Sequence, residues 1–228
     1  MSINKFVTPG FLLSVDLLLV SFVNWIYWLL ISKLTTATEV GQATSVYSFA
    51  VLTSAITLLG LEYSLIKKSS SERSQIVGTS IIIELLITAV AVSVLFYVLN
   101  NLYQGSLYAL SWIAIGIVIF SAQRYILRFA LLGISDARSV LKVNSMGVVL
   151  QLVSGYVLVA IGLGAEGILF SFLFNVAFIT GLSFLVVRGE FQFRIGNFNY
   201  ARGIIKDALV NTPTPLAKMV IYSLSVVL

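Results

Sequence analysis

Long, nearly uncharged apolar segments recur along the whole chain. Seven of them reach or approach the roughly 20 residues that an α-helix needs to cross a bilayer core. They lie at Phe11–Ser32, Ala43–Ile66, Ile76–Leu99, Leu107–Leu132, Val140–Leu163, Ile168–Val187 and Ala208–Leu228. Of the 228 residues, 59% are hydrophobic and 10% charged, which is more apolar surface than a soluble domain of this length could bury. Because the runs are continuous rather than alternating, a transmembrane β-barrel is excluded, and the sequence predicts an all-α integral membrane protein.

The basic residues are distributed unevenly between the two sides of these spans. Twelve of the 14 Lys and Arg residues lie in the amino-terminal tail or in and beside the second, fourth and sixth loops. The first, third and fifth loops contain only Lys33, and Lys218 lies within the last span. Because basic loops stay in the cytoplasm, we predict a multi-pass protein of the cell membrane with a cytoplasmic amino terminus. The net charge of +5 suits anionic lipid headgroups, and no nucleic-acid partner is expected.

Polarity divides the chain into three parts. Residues 1–187 form a lobe of six transmembrane helices, whose first span suits an uncleaved signal anchor. Residues 188–207 form a cytoplasmic linker in which aromatic side chains alternate with Arg194 and Arg202, as in a segment lying in the membrane interface. A strand-like or irregular linker is the alternative. Residues 208–228 contain Pro215 and Lys218 and are too short to complete a span after the proline, so we expect the truncated start of a second lobe.

The residue types that carry much of enzymatic chemistry are absent. The chain has no Cys and no His, which excludes thiolate nucleophiles, Ser-His triads, imidazole relays and HExxH metal sites. It also has no P-loop motif, and its nine acidic residues are scattered. We therefore expect no catalytic residue, no metal site and no cofactor.

Two carboxylates lie within the predicted spans. Asp16 lies about five residues inside the first span, and Glu84 lies about eight residues inside the third. Carboxylates at such depths are costly unless they are paired, hydrated or protonated, and they commonly face a bundle interior or a cavity. Both are therefore candidates for binding a coupling cation or proton. A hydrogen bond between helices or a side chain that reaches the interface is the alternative for Asp16 and Glu84 alike.

Uncharged polar residues form stripes on three further faces. Helical spacing groups Asn24 and Tyr27 with Asp16 on the first span, Asn144 with Gln151 on the fifth, and Ser171 with Asn175 on the sixth. Such stripes suit the walls of a hydrated cleft that binds a substrate, with hydrogen bonds between packed helices as the alternative. On the second span, small residues predict a face for close helix packing, formed by Gly41, Ser45, Ser48 and Ala55.

Two arginines lie on one face of the fourth span, near its cytoplasmic end. Arg124 and Arg128 are four residues apart, so their side chains point in the same direction. The planar guanidinium group suits phosphate oxygens, which makes this pair a candidate for binding an anionic headgroup. Charge that sets the topology and reaches ordinary lipid headgroups is the alternative.

A more specific pattern spans the first two helices and recurs at later connections. Leu29–Gly41, Tyr47–Ala50 and Leu59–Lys67 follow one another in an order that resembles polysaccharide-type flippases of the multidrug/oligosaccharidyl-lipid/polysaccharide exporter superfamily. Gln42 stands where that family usually has Tyr or Phe. The matching positions are Gly41, Gly60, Leu61, Ser64 and Lys67. Arg128–Gly133 with Asp136 and Ala137 is similar to the family's fourth-to-fifth connection, and the glycines at 162, 164 and 167 to its fifth-to-sixth turn.

The resemblance implies a six-helix transmembrane lobe of a MATE/flippase-like fold, followed by the start of a seventh helix. It implies transport of lipid-linked oligosaccharide or polysaccharide precursors from the cytoplasmic to the outer leaflet by alternating access. The partners are then membrane lipid, the lipid-linked glycan, and a missing second lobe or a homodimer partner. A cation-coupled multidrug exporter of the same superfamily, a non-transporting scaffold subunit of a glycan assembly complex and a membrane-embedded transferase are the alternatives.

Overall fold

The computed structural model describes residues 4–58, 60–67, 72–102, 108–134, 136–190 and 192–211, and all regular structure in these ranges is helical. The helices are α1 (Asn4–Leu34), α2 (Ala37–Thr57), α3 (Leu61–Lys67), α4 (Arg73–Leu102), α5 (Tyr108–Gly133), α6 (Ala137–Ala160), α7 (Gly164–Glu190) and α8 (Phe198–Asn211). By length and composition, five segments within them could cross a membrane: Pro9–Leu34, Arg73–Leu99, Leu110–Gly133, Ala137–Ala160 and Gly164–Glu190. The prediction of an all-α, multi-pass membrane protein is thereby confirmed for the described residues, by the length and composition of their helices.

The predicted second span is not one helix. The structure divides Ala43–Ile66 between α2, which ends at Thr57, and α3, which begins at Leu61. Between them Gly60 has a φ of 76°, a left-handed conformation that interrupts a helix and that glycine adopts without steric cost. Many residues of α2 are Ser, Thr or other polar types, and this helix is not among the five apolar segments.

The linker differs from expectation at both of its ends. Helix α7 continues to Glu190, residues 192–197 have no regular structure, and α8 then crosses the expected boundary between residues 207 and 208. Residues 208–211, the first four of the predicted seventh span, therefore complete a helix that starts in the linker. Residues 212–228 lie outside the described part. The linker thus combines an irregular segment with a helix that exposes Phe198, Arg202 and Val210.

Helices α5 and α7 form the centre of the bundle. Helix α7 packs against α6, α5 and α2, whereas α5 also packs against α4 and α3, and α1 packs chiefly on α6. Aromatic side chains on the outer face of α1 remain exposed, including Phe11, Phe22 and Trp25. Such a surface suits contact with lipid tails, which are as apolar as the side chains themselves.

The turn contacts show which connections share an end of the bundle. At one end, Thr36 caps α2, and the Glu39 side chain lies so close to Gly164 that a Cβ there would be 2.2 Å from a carboxylate oxygen. The Thr35 hydroxyl, and then the backbone and hydroxyl of Thr36, donate to Glu39 and hold the pKa of its carboxyl below the ordinary value. The first and fifth predicted loops therefore meet at this end.

The basic connections meet at the opposite end. The Arg194 amide donates to the Ser74 carbonyl at 3.2 Å, which joins the linker to the start of α4. A Cβ on Gly133, the last residue of α5, would lie 3.1 Å from the Leu65 carbonyl of α3. The described basic residues of the even connections therefore share one end, while Lys33 lies at the other.

Two glycines of α6 allow its neighbours to approach closely. A Cβ on Gly155 would lie 2.5 Å from a ring carbon of Tyr27, and one on Gly147 would lie 2.3 Å from Ile179. We expect Gly155→Ala to lower the free energy of unfolding by about 1–3 kcal/mol, because the added methyl group overpacks the contact between α1 and α6. Gly181→Ala is the matched control, since nothing lies within 4 Å of a Cβ there. Unfolding in mixed micelles, followed by tryptophan fluorescence, measures the free energy of unfolding of both variants. Equal values for Gly155→Ala and Gly181→Ala would contradict this packing.

Candidate functional site

A charged cluster joins α1, α5 and α6. The Asp16 carboxylate is 2% exposed and accepts bonds from the Asn144 side-chain nitrogen at 2.9 and 3.1 Å. The Arg128 guanidinium forms an ion pair with the same carboxylate at 3.4 Å. From the preceding turn of α5, Arg124 donates to the Asn144 side-chain oxygen at 3.3 Å. Two permanently charged guanidinium groups thus share one carboxylate and one amide, which leaves an excess of positive charge.

The polar contacts continue along the same helices toward the other end. The Gln151 amide of α6 donates to the Asn24 side chain of α1 at 3.3 Å and accepts a bond from Asn175 of α7. Farther on, the hydroxyls of Tyr27 and Ser171 are 2.8 Å apart. We call these nine residues of α1, α5, α6 and α7 the polar network: Asp16, Asn24, Tyr27, Arg124, Arg128, Asn144, Gln151, Ser171 and Asn175.

Helical spacing explains why the network forms. Asp16, Asn24 and Tyr27 lie on the face of α1 that packs on α6, and the close approach at Gly155 brings the Tyr27 ring against that helix. The four-residue spacing of Arg124 and Arg128 points both side chains toward α1 and α6. The six uncharged polar residues and the two arginines predicted to bind a substrate, and one of the two ion-coupling candidates, therefore belong to this network.

The network is tightly closed at its charged end. The cavity lined by Arg124, Arg128, Asn144, Ile179 and Ser183 has a volume of about 10 Å³. That is near the least space that holds one water molecule. The predicted polar stripes therefore meet one another here, which is the interhelical bonding that the sequence left open as the alternative to a hydrated cleft. The Arg128 side chain remains 30% exposed, so one guanidinium group of the cluster is accessible.

Glu84 lies apart from the network, where α2, α4 and α5 meet. Its side chain is completely buried and accepts bonds from Thr57 at 3.2 Å, from Thr88 and from Gln123. The structure therefore separates the two ion-coupling candidates. Among the described residues, no group of three or more Asp, Glu, His or Cys side chains is arranged to hold a metal ion.

Sequence reasoning missed the residues around Glu84 and misplaced one packing face. Thr88 follows Glu84 by one helical turn and could have been found from that spacing. Gln123 and Thr57 come from other helices, so only the folded arrangement reveals them. The prediction that the small residues of α2 form a packing face is wrong within the described bundle. Gly41, Ser45 and Ser48 are exposed, and only Ala55 is buried. Instead α2 buries Ala43, Val46, Ala50, Ser54, Ala55 and Thr57.

The helices and their buried polar contacts define a multi-pass α-helical membrane protein with an arginine-rich site at one end of the bundle. No protein-family profile, curated protein or solved structure matches this chain.

Proposed function

We propose that the chain is the amino-terminal lobe of a transporter for lipid-linked oligosaccharide or polysaccharide precursors, which it moves from the cytoplasmic to the outer leaflet. The observation that carries the proposal is the charged cluster, in which Arg124 and Arg128 outnumber Asp16 inside a bundle of apolar helices. Charged side chains within membrane-spanning helices mark binding sites and transport pathways. A phosphate-linked headgroup supplies the charge and the paired oxygen acceptors that guanidinium groups bind.

The geometry supports a simple exchange of partners. In the closed arrangement the Asp16 carboxylate accepts from Arg128 and from the Asn144 side-chain nitrogen. The Asn144 side-chain oxygen accepts from Arg124. A phosphate oxygen that enters from the exposed side of Arg128 competes with the Asp16 carboxylate for the same N–H groups. Separation of α1 from α5 and α6 then opens the predicted cleft, whose walls are the remaining amides and hydroxyls of the polar network. A second lobe or a second copy of the chain supplies the opposite wall, and the two rock past each other. No chemical catalysis and no cofactor are involved.

A cation-coupled multidrug exporter is the second candidate. Two buried carboxylates favour it, because Asp16 and Glu84 could each neutralise a cationic substrate or a coupling ion. The nature of the accepted substrate distinguishes the two proposals. A flippase requires an anionic lipid, whereas a drug exporter requires a soluble organic cation.

The test is transport by the protein that contains this chain, reconstituted in liposomes. A short-chain polyprenyl diphosphate-linked oligosaccharide is placed in both leaflets, and its disappearance from the outer face is followed with a membrane-impermeant glycan-modifying enzyme. We expect complete accessibility of the labelled lipid with the protein and about half without it. Export of a fluorescent organic cation with no glycan-lipid movement would instead establish the second candidate.

The shared end of the basic connections supports a proposal for the orientation of the chain in the membrane. We propose that this end, with α8, lies in the cytoplasm of a cell whose cytoplasmic membrane holds the protein. The chain has no native Cys, so single cysteines report cleanly. In intact cells an impermeant thiol reagent is expected to label Thr38→Cys, at the exposed start of α2, and not Asn199→Cys, exposed on α8. Both should react after permeabilisation. Labelling of Asn199→Cys alone before permeabilisation would reverse the topology.

A further inference from the structure

The Glu84 carboxyl is buried among neutral groups. It lies eleven residues after Arg73, the first residue of α4, or about 16 Å along the helix axis. Its carboxylate accepts hydrogen bonds from the hydroxyls of Thr57 and Thr88 and from the amide of Gln123. Among the described residues, none of its hydrogen-bond partners is a Lys or Arg. A carboxylate in such a setting lacks the opposite charge that compensates for its removal from water.

The charged and titratable groups on the surrounding helices are directed elsewhere. On α5, Arg124 follows Gln123 but donates to Asn144 of α6, and Arg128 pairs with Asp16 of α1. Tyr125 of α5 is half-buried and interacts electrostatically with Arg124 and Tyr47. On α2, Tyr47 stacks on Phe172 of α7, with their ring centroids 4.0 Å apart.

The described ionisable groups on the remaining two neighbours of α4 lie near the basic end. Helix α3 carries Glu62, and the linker before α8 is joined to α4 at Ser74 and Thr79, one or more turns before Glu84. On α8, Arg202, Lys206 and Asp207 are exposed to the surroundings, and Tyr200 is half-buried beside them.

We propose that Glu84 is a proton-binding site within the membrane. A proton is the one cation that neutralises a carboxylate without needing a coordination shell, and the three neighbours can exchange hydrogen bonds with either form. On binding, a proton from water forms an O–H bond to one carboxylate oxygen, and the negative charge disappears. The acid then donates to the Gln123 side-chain oxygen or to a threonine hydroxyl, whereas the carboxylate only accepts. This inference concerns the chain itself and is independent of the proposed substrate.

The position of the site connects it to the interruption between α2 and α3. Thr57, whose hydroxyl contacts both Glu84 and the Ser54 carbonyl, is the last residue of α2. The chain turns at Gly60 immediately afterwards. A change in the bonding of Glu84 therefore acts on the end of a helix next to a turn, rather than within a continuous helix.

Difference infrared spectroscopy of the purified chain tests the proposal directly. The C=O stretch of a carboxylic acid is separate from the carboxylate stretches, so the wild-type spectrum minus that of Glu84→Gln isolates this group. We expect an acid band at neutral pH that disappears on moving to alkaline buffer, with no such band for the exposed control Glu190→Gln. Carboxylate bands for Glu84 from mildly acidic to alkaline pH would overturn the proposal. Glu84→Asp, which retains a carboxyl and shifts the band, serves as a second variant if the Gln variant does not fold.

The pH dependence of the melting temperature of the purified chain provides a second measurement of proton binding. If the folded chain holds a proton that the unfolded chain loses, stability falls as pH rises. We expect the wild-type melting temperature to decrease from mildly acidic to mildly alkaline pH, and Glu84→Gln to show less than half of that decrease. A melting temperature that rises with Na⁺ concentration at fixed pH in the wild type, and not in Glu84→Gln, would assign the site to a metal cation and overturn the proposal.

Discussion

The double variant Asp16→Asn/Arg128→Gln is expected to lose about 10- to 150-fold in glycan-lipid flipping while its amount in the membrane stays close to that of the wild type. A bound phosphate that loses one charge-assisted contact loses about 1.5–3 kcal/mol, which corresponds to that range. Asp16 is 2% exposed and is the ion-pair partner of Arg128, so removing both charges together leaves no unpaired carboxylate at position 16. Loss of transport would therefore reflect the missing guanidinium group rather than misfolding.

Two further variants separate phosphate binding from a general need for positive charge. Arg128→Lys keeps the charge but not the planar fork, so it should restore transport only partly, whereas a residue that merely sets topology would tolerate Lys fully. Asp207→Asn/Lys206→Gln removes the same two charges from the exposed face of α8 and is the matched control. Flipping at the wild-type rate by the Asp16→Asn/Arg128→Gln variant would remove Arg128 from the binding site.

Much of the fold could be predicted from the sequence, because crossing a bilayer requires a simple pattern of residues. The apolar windows located α1, α4, α5, α6 and α7 to within a turn or two, since each window must be long and uncharged. The interruption at Gly60 was not readable from hydropathy, because a glycine inside an apolar run is equally compatible with a continuous helix. The course of α8 was missed for a related reason: its apolar residues at 208–211 extend the hydrophobicity of the following segment, although they belong to an amphipathic helix.

The residues of the candidate site could be predicted individually from the sequence, but the contacts between them could not. Helical spacing alone placed Asn144 with Gln151, and Asp16 with Asn24, on common faces. It could not show that Asp16 contacts Asn144 across 128 positions of the chain, because that contact depends on which helices pack together. Nor could it decide between a hydrated cleft and bonds between helices, since both need polar residues on facing stripes. For the same reason, the sequence could not show that Gln123 contacts Glu84.

Removing Asp16 and removing Arg128 should lower the free energy of unfolding by different amounts. The Asp16 side chain is 3% exposed and that of Arg128 is 30% exposed, so the two ions differ in their access to water and to the membrane interface. Arg128→Ala leaves a buried carboxylate with only the Asn144 amide as a donor, and we expect the free energy of unfolding to fall by about 2–3 kcal/mol. Asp16→Asn leaves a long cation that can extend toward the interface, and we expect a loss of about 1 kcal/mol or less.

A double-mutant cycle determines whether this asymmetry comes from the ion pair. The cost of Asp16→Asn/Arg128→Ala should be smaller than the sum of the single costs by about 1–2 kcal/mol, because neutralising Asp16 removes the penalty that Arg128→Ala creates. Unfolding of the purified chain by increasing denaturing detergent gives all three values, with Arg188→Ala, exposed at the end of α7, as the control for loss of an arginine. Equal single costs that add without interaction would show that the 3.4 Å contact between Arg128 and Asp16 contributes nothing to stability. The excess positive charge of Arg124 and Arg128 would then be free for a phosphate without competition from Asp16, which would contradict the exchange of partners proposed for transport.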